Sequence, residues 1–456
     1  MVNDALVESK QKRPKNNING LVDELLVEIL CRLPCHKIVV TCKSVCKHWA
    51  ALLSNSFFIR RFIAYYISSK TRPQLHYYDS SIINGCFDRT FGVVVRKMDS
   101  TLTGGGYSNE NTHKGLMIRF NDPIYNAKNV GVSSLPWLST LTVVGASNDL
   151  LLYSKYELCL MYFVIDLYII NAQTMQCIEL PSLHIQTPAR HIGFICDPYY
   201  YYSTTSRHTT NLTLNDAYCA CIVVILAPGK AISQASFMPT DANEFPACLF
   251  STNTGGGMWR NVILSLPLSC RPTHFCSYFS IGRKYYFRCD KGIIGFDPFV
   301  VDDNHVIKCD FLPLPLPHMN FLSTFGVFHE RLYMCDTDAP YKSDTNGTYR
   351  VWALEDYETG SWSLRHTITM QNWISLNRRL DKLIDREKHI GKPISFHPTN
   401  PDVIYTISQR WIIMCNLRTK EIEIVAKLPQ DLQDLYPDAC PFQITLPVWP
   451  SPLPTL

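Results

Sequence analysis

Cys31, Cys35, Cys42 and Cys46, with His36 and His48 beside them, gather metal-ligand residue types into one short segment. Two C-x-x-x-C pairs suit the spacing of paired zinc ligands. Against zinc, Cys31 and Cys42 fall inside stretches whose apolar periodicity needs the same helix face, so these cysteines read as buried thiols and no metal is expected. Gly104-Gly105-Gly106 and Gly255-Gly256-Gly257 could let a phosphate approach the backbone. Neither precedes a helix or a Lys-Ser/Thr pair, so both read as loop hinges. Gly-x-Ser-x-Gly, His-Glu-x-x-His and the dinucleotide fingerprint are all missing, and the prediction is a protein without a catalytic residue or cofactor. Tyr199 to Tyr202, four in a row, cannot all point inward on a strand, because side chains alternate faces.

The elements behind the cysteines are more informative. Leu21, Leu25, Leu26, Ile29, Leu30 and Leu33 form the stripe of an amphipathic helix that Pro34 should end. A second apolar run, Ile38 to Val40, follows. Val45, Trp49 and Leu52 then recur at helical spacing, which predicts a third helix from about Cys42 to Leu53. Three short helices carrying this much apolar surface, in a unit of about 40 residues, need a partner to cover them.

Asp23-Glu24-Leu25-Leu26, Glu28-Ile29-Leu30, Arg32-Leu33-Pro34, Cys42-Lys43-Ser44-Val45-Cys46-Lys47-His48-Trp49 and Phe57-Phe58 together resemble the F-box. The one departure is Val22, where the family usually has its first proline. The resemblance implies that Leu25, Leu26, Ile29, Leu30, Leu33, Pro34, Val45, Cys46 and Trp49 make or support a face for a Skp-type adaptor and, through it, a cullin. Leu21 and Val22 would lie in the loop against that adaptor.

With 456 residues, 46% hydrophobic and 18% charged, most of the chain should be globular. A net charge of +4 over this length gives no reason to expect a nucleic-acid partner. The start, MVNDALVESKQKRPKNN, lacks the apolar run of a signal peptide, and Leu158 to Ile170 is too short and too interrupted to span a membrane. An interior location, cytoplasmic or nuclear, with reduced cysteines is therefore expected. Lys10, Lys12, Arg13 and Lys15 lie in a polar tail that could direct nuclear import.

Beyond about residue 75 the chain becomes a series of short β-branched and aromatic runs between Gly, Pro, Asn and Asp clusters, the mark of many short strands. Asn171-Ala172-Gln173-Thr174, Asp356-Tyr357-Glu358-Thr359 and Asn416-Leu417-Arg418-Thr419 each precede a strand-like run, so each should open a hairpin turn. Leu-Pro recurs at 180, 266, 312 and 428 as a strand-end marker. A repeat of about 46 residues would make six to eight propeller blades. Asn148 to Tyr153, Gly292 to Pro298, Val351 to Tyr357 and Leu446 to Pro452 resemble the kelch-like, F-box-associated domains of plant F-box proteins. Asn377 to Ile390 reads as a helical insertion.

The expected organisation is multi-domain. A basic tail (1–20), a three-helix all-α F-box (21–60) and a linker or helix (61–75) precede an all-β kelch-like propeller (76–440) and a Pro-rich strand and tail (441–456). The expected function is substrate recognition in an SCF-type ubiquitin ligase, with an unidentified protein target held by the propeller. Two rival readings are a propeller that binds a carbohydrate or small ligand, and a propeller enzyme with an axial active site.

Overall fold

The computed structural model describes residues 21–33, 36–70, 90–97, 116–121, 131–134, 142–158, 163–187, 189–197, 199–206, 209–215, 219–226, 242–252, 257–270, 278–281, 283–316, 323–328, 331–337, 348–369, 392–397, 400–408, 411–427, 439–445 and 449–454. The basic tail, Pro34, Cys35, Gly104 to Gly106, Gly255, Gly256, Leu428-Pro429 and the 377–390 segment lie outside them. The chain divides into two compact units, Met1–His76 and Tyr77–Leu456.

The first unit holds four helices rather than three: α1 (Asp23–Leu30), α2 (His36–Cys42), α3 (Lys47–Ser54) and α4 (Ser56–Lys70). Cys42 ends α2 instead of opening α3, because Cys46 caps α3, its sulfur accepting the Trp49 N–H at 3.4 Å. Helix α1 stops before Leu33, which sits in the turn that follows. Helix α4 joins the closing aromatics to the segment expected to be a linker or helix, since Phe58, Ile59, Phe62 and Ile63 repeat at helical spacing and are all buried.

The second unit is a β-propeller. Blade one uses Thr142–Ser147, Leu150–Leu158, Phe163–Asn171 and Cys177–Glu179, with Leu183–Ile185 also paired to the third strand. Blade two uses Ala189–Cys196, Ala220–Leu226, Ala242–Ser251 and Trp259–Cys270. Val306–Lys308 joins its outer edge in parallel. Blade three comprises Tyr278–Ile281, Lys284–Arg288, Gly292–Phe296 and Asp310–Pro313. Blade four is Thr324–Phe328, Arg331–Thr337, Thr348–Asp356 and Ser361–Thr369, and blade five Lys392–His397, Asn400–Ser408, Trp411–Asn416 and Glu421–Lys427. A hairpin, Tyr200–Ser206 with Thr209–Leu214, projects between the first two strands of blade two and carries Tyr200 to Tyr202.

Five blades thus follow one another along the chain, which corrects the expectation of six to eight. A further four-stranded sheet draws on both ends of the unit: Ala439–Thr445 pairs with Thr90–Lys97, followed by Leu116–Asn121 and Gly131–Ser134. Its strand Ala439–Thr445 lies beside the first strands of blades one and five, so this sheet stands between the last blade and the first. Residues Ala439–Thr445 are therefore part of the sheet structure. The miscount has a simple origin. The 185 residues from Asn171 to Asp356 span three blades, about 62 each, not four of 46, and the 60 residues from Asp356 to Asn416 span one.

The turn motif itself does what its residues predict. Asn171 Oδ1 accepts the N–H of Gln173 and Thr174 at 2.8 and 2.9 Å, and Asn416 Oδ1 accepts those of Arg418 and Thr419 at 3.1 and 3.0 Å. Asp356 accepts the Glu358 N–H at 2.9 Å and the Thr359 hydroxyl at 2.7 Å. Each turn joins the third strand of its blade to the fourth, and each closes on a left-handed residue: Met175 (φ 61°), Gly360 (φ 65°) or Lys420 (φ 62°). Two Leu-Pro sites also link neighbours. Trp259 of blade two donates to the Pro181 carbonyl after blade one at 2.7 Å, and Trp362 of blade four to that of Pro313 in blade three at 2.8 Å.

Middle strands are buried on both faces because blades stack against each other; every residue of Gly292–Phe296 is buried. The larger cores lie between blades, one of them uniting Phe245, Leu249 and Leu264 of blade two with Phe287, Ile294 and Phe296 of blade three.

Candidate functional site

Helix α1 carries two apolar stripes. Leu26, Val27 and Leu30 face inward, 1 to 3% exposed, and pack the unit together with Val39, Trp49, Leu53, Phe58 and Phe62. Val22, Leu25 and Ile29, at i, i+3 and i+7, face outward at 59, 54 and 45% exposed. Burying one face satisfies the fold, so the second stripe is surplus to it.

Exposed Leu21, Val45, Ile38, Val40 and Phe57 add to this apolar surface of the helical unit. Ile38 and Val40 flank buried Val39 on α2, and Phe57 precedes buried Phe58 on α4. Successive residues on a helix are about 100° apart, so an apolar run of three on a two-sided surface helix must leave some members outside. That geometry was the available signal for Ile38 and Val40, which the family pattern did not include, and for the outward position of Phe57, which it did.

The residues expected at the adaptor face therefore fall into two sets. Leu21, Val22, Leu25, Ile29 and Val45 are exposed, and Leu33 and Cys46 are half-buried. Leu26, Leu30 and Trp49 belong to the interior, where they can hold the face in shape but cannot themselves be touched. Pro34 lies outside the described residues.

Polar contacts fix the helices under this surface. Glu28 on α1 accepts from Arg61 on α4 at 2.7 Å and from Arg32 at 3.2 Å. Those two guanidinium hydrogen bonds, Arg61 first, hold the Glu28 carboxyl below its usual range. His48 of α3 meets Asp23 at the start of α1, 2.9 Å apart. The Cys31 thiol is pushed up to about 11 by burial.

Polar side chains inside the propeller pair with one another, both between blades and within one. His191 on the first strand of blade two bonds the Tyr285 hydroxyl of blade three within a cluster of Tyr278, Tyr285 and Phe287 rings. His366 of blade four meets Asp402 of blade five at 2.8 Å. Asp336, fully buried, pairs with Arg350 at 2.8 Å within blade four. No helix among the described residues is long and apolar enough to cross a membrane.

Parts of the chain are similar to known proteins. Residues 230–441 match the family model described as F-box protein At3g26010-like, beta-propeller. A curated Arabidopsis thaliana protein, "Putative F-box protein At1g46984", is 40% identical over 73 residues, 16% of this chain and 19% of that protein. The chain thus spans about a fifth of the length of the curated relative it matches. Among solved structures, an acylaminoacyl peptidase from Pyrococcus horikoshii is 8% identical, with 75% of this chain and 44% of that one covered at a TM-score of 0.32. The propeller domain of the Trilobed protease from Pyrococcus furiosus is also 8% identical, covering 76% and 97% at a TM-score of 0.29. The chain thus joins a few-helix unit with the F-box pattern to a propeller that, over residues 230–441, is similar to the propellers of plant F-box proteins.

Proposed function

We propose that this protein is a substrate receptor of an SCF-type ubiquitin ligase, its helical unit docking a Skp-type adaptor and its propeller holding a protein target. The observation that carries the proposal is the outward stripe Val22, Leu25 and Ile29, supported by Val45 and Phe57. These residues leave water only if another polypeptide covers them, and they lie on the part of the chain that carries the F-box pattern. Leu26, Leu30 and Trp49 support the face from beneath. On this reading the chain is not itself an enzyme; it raises the concentration of target lysines near a ubiquitin carrier bound elsewhere in the assembly. It would act in the cytoplasm or nucleus.

The test is binding of purified adaptor to the wild-type chain and to Leu25→Asp and Ile29→Asp. Leu30→Asp would unfold the unit and lose binding whatever the interface, so it discriminates nothing. Failure of the wild-type chain to bind would remove the ligase assignment.

A further inference from the structure

Among the described residues, one group outside the helical unit brings metal-ligating atoms together. Cys270 ends the outer strand of blade two, and Cys289 and Asp290 begin the tight turn between the second and third strands of blade three. Their two sulfurs and a carboxylate oxygen lie within 4.8 Å of one another. Four atoms at the corners of a zinc tetrahedron, with Zn–S near 2.3 Å, would be roughly 3.8 Å apart. A shift of about 1 Å at most separates the two arrangements.

Hydrogen bonds converge on the Cys289 sulfur. It accepts the backbone N–H groups of Lys291 and Gly292 and the thiol of Cys270. The Cys289 N–H is engaged by the Gly292 carbonyl at 2.8 Å, which fixes the turn, and Lys291 Nζ reaches the Ser269 carbonyl at 2.5 Å, which ties the turn to the strand bearing Cys270. Both cysteines are fully buried, whereas Asp290 is only half-buried. The carboxylate therefore stands on the side from which a cation could enter.

The geometry points to a zinc site formed by Cys270, Cys289 and Asp290, with water as the fourth ligand, that clamps blade two to blade three. Binding releases the thiol protons of Cys270 and Cys289 to solvent, and the metal replaces the S–H···S hydrogen bond with two Zn–S bonds and a Zn–O bond to Asp290. Nothing is oxidised.

Cobalt(II) titration of the purified, reduced full-length chain tests this, because cobalt occupies zinc sites and reports its own ligands. The expected result is a thiolate-to-cobalt charge-transfer band that saturates near about one equivalent and is bleached by added zinc. Cys270→Ser and Cys289→Ser should each abolish the band, and Asp290→Asn should weaken binding by at least about ten-fold. Cys177→Ser, at an exposed thiol, should leave it intact. If the buried-cysteine variants fail to fold, Asp290→Asn still decides the matter, since zinc should raise the thermal midpoint of the wild type and not of this variant. Absence of a thiolate band, persistence of the band in both cysteine variants, an unchanged affinity in Asp290→Asn, or a Cys270–Cys289 disulfide in the protein as isolated would each overturn the assignment.

Discussion

Replacing Asp149 with alanine should loosen the end of the chain from the propeller. Asp149 lies in the two-residue hairpin turn between the first two strands of blade one and is fully buried. Its Oδ2 accepts from the Ser451 N–H at 3.0 Å, Asn171 Nδ2 at 2.8 Å and Gln173 Nε2 at 3.3 Å. Asn171 also donates to the Ser451 carbonyl at 2.7 Å, so one acid and one amide hold the C-terminal segment, whose Trp449 and Ser451 are buried. Asp149→Ala strands the Ser451 N–H and deprives Asn171 of one acceptor, at roughly 1–3 kcal/mol for each buried group left unpaired.

The loss is partly offset because the carboxylate itself is costly to bury: desolvation raises its pKa despite the hydrogen bonds from Ser451 and Asn171. A net loss of about 2–4 kcal/mol follows. Urea unfolding followed by tryptophan fluorescence measures it, with Trp449 as a local probe. Asp149→Asn keeps one acceptor oxygen and should cost less. Because the folded-state pKa is raised, the wild type should also lose stability relative to Asp149→Asn as pH climbs from the unfolded carboxyl's pKa of about 3.9 through the raised folded one. An alanine variant within about 0.5 kcal/mol of wild type would refute the idea that these bonds anchor the segment.

Gly360→Ala should destabilise blade four by about 2–4 kcal/mol, combining left-handed strain with overpacking, because an added Cβ would stand 2.4 Å from Pro313 Cδ. Lys420→Gly at the equivalent place in blade five should change stability by less than about 1 kcal/mol, and paired denaturation curves would show the contrast. His397, buried in blade five, has its pKa pushed down to about 4 by desolvation. It therefore stays neutral while the unfolded chain takes up a proton, and stability should fall as pH drops from about 6.5 to about 4. That fall should be smaller in His397→Gln, as thermal melts across the range would reveal.

Much of this was legible in the residues. The Asx-x-x-Thr turns could be read because the local bond from Asn or Asp to the backbone two or three residues on depends on nothing distant. Blade number could not, since the insertions that stretch blade two, including the 200–214 hairpin, carry no turn marker of that kind, and the composite sheet pairs residues near 90 with residues near 440. On α1, the leucine pattern announced a greasy helix but not which stripe would be covered, because Leu25 and Leu26 are chemically identical and only tertiary burial, 54% exposed against 1%, separates them. The closeness of Cys270 to Cys289 is equally invisible, as it arises from the stacking of two blades.

The central claim is that the outward stripe of the first helix is a docking face. The direct measurement is the dissociation constant of purified Skp-type adaptor for wild-type chain and for Ile29→Asp, with the helical content of each recorded beside it. Specific binding by the wild type, weakened at least about 30-fold in Ile29→Asp at unchanged helicity, is the predicted result. Equal affinity in the two proteins, or no binding by a folded wild type, would contradict it.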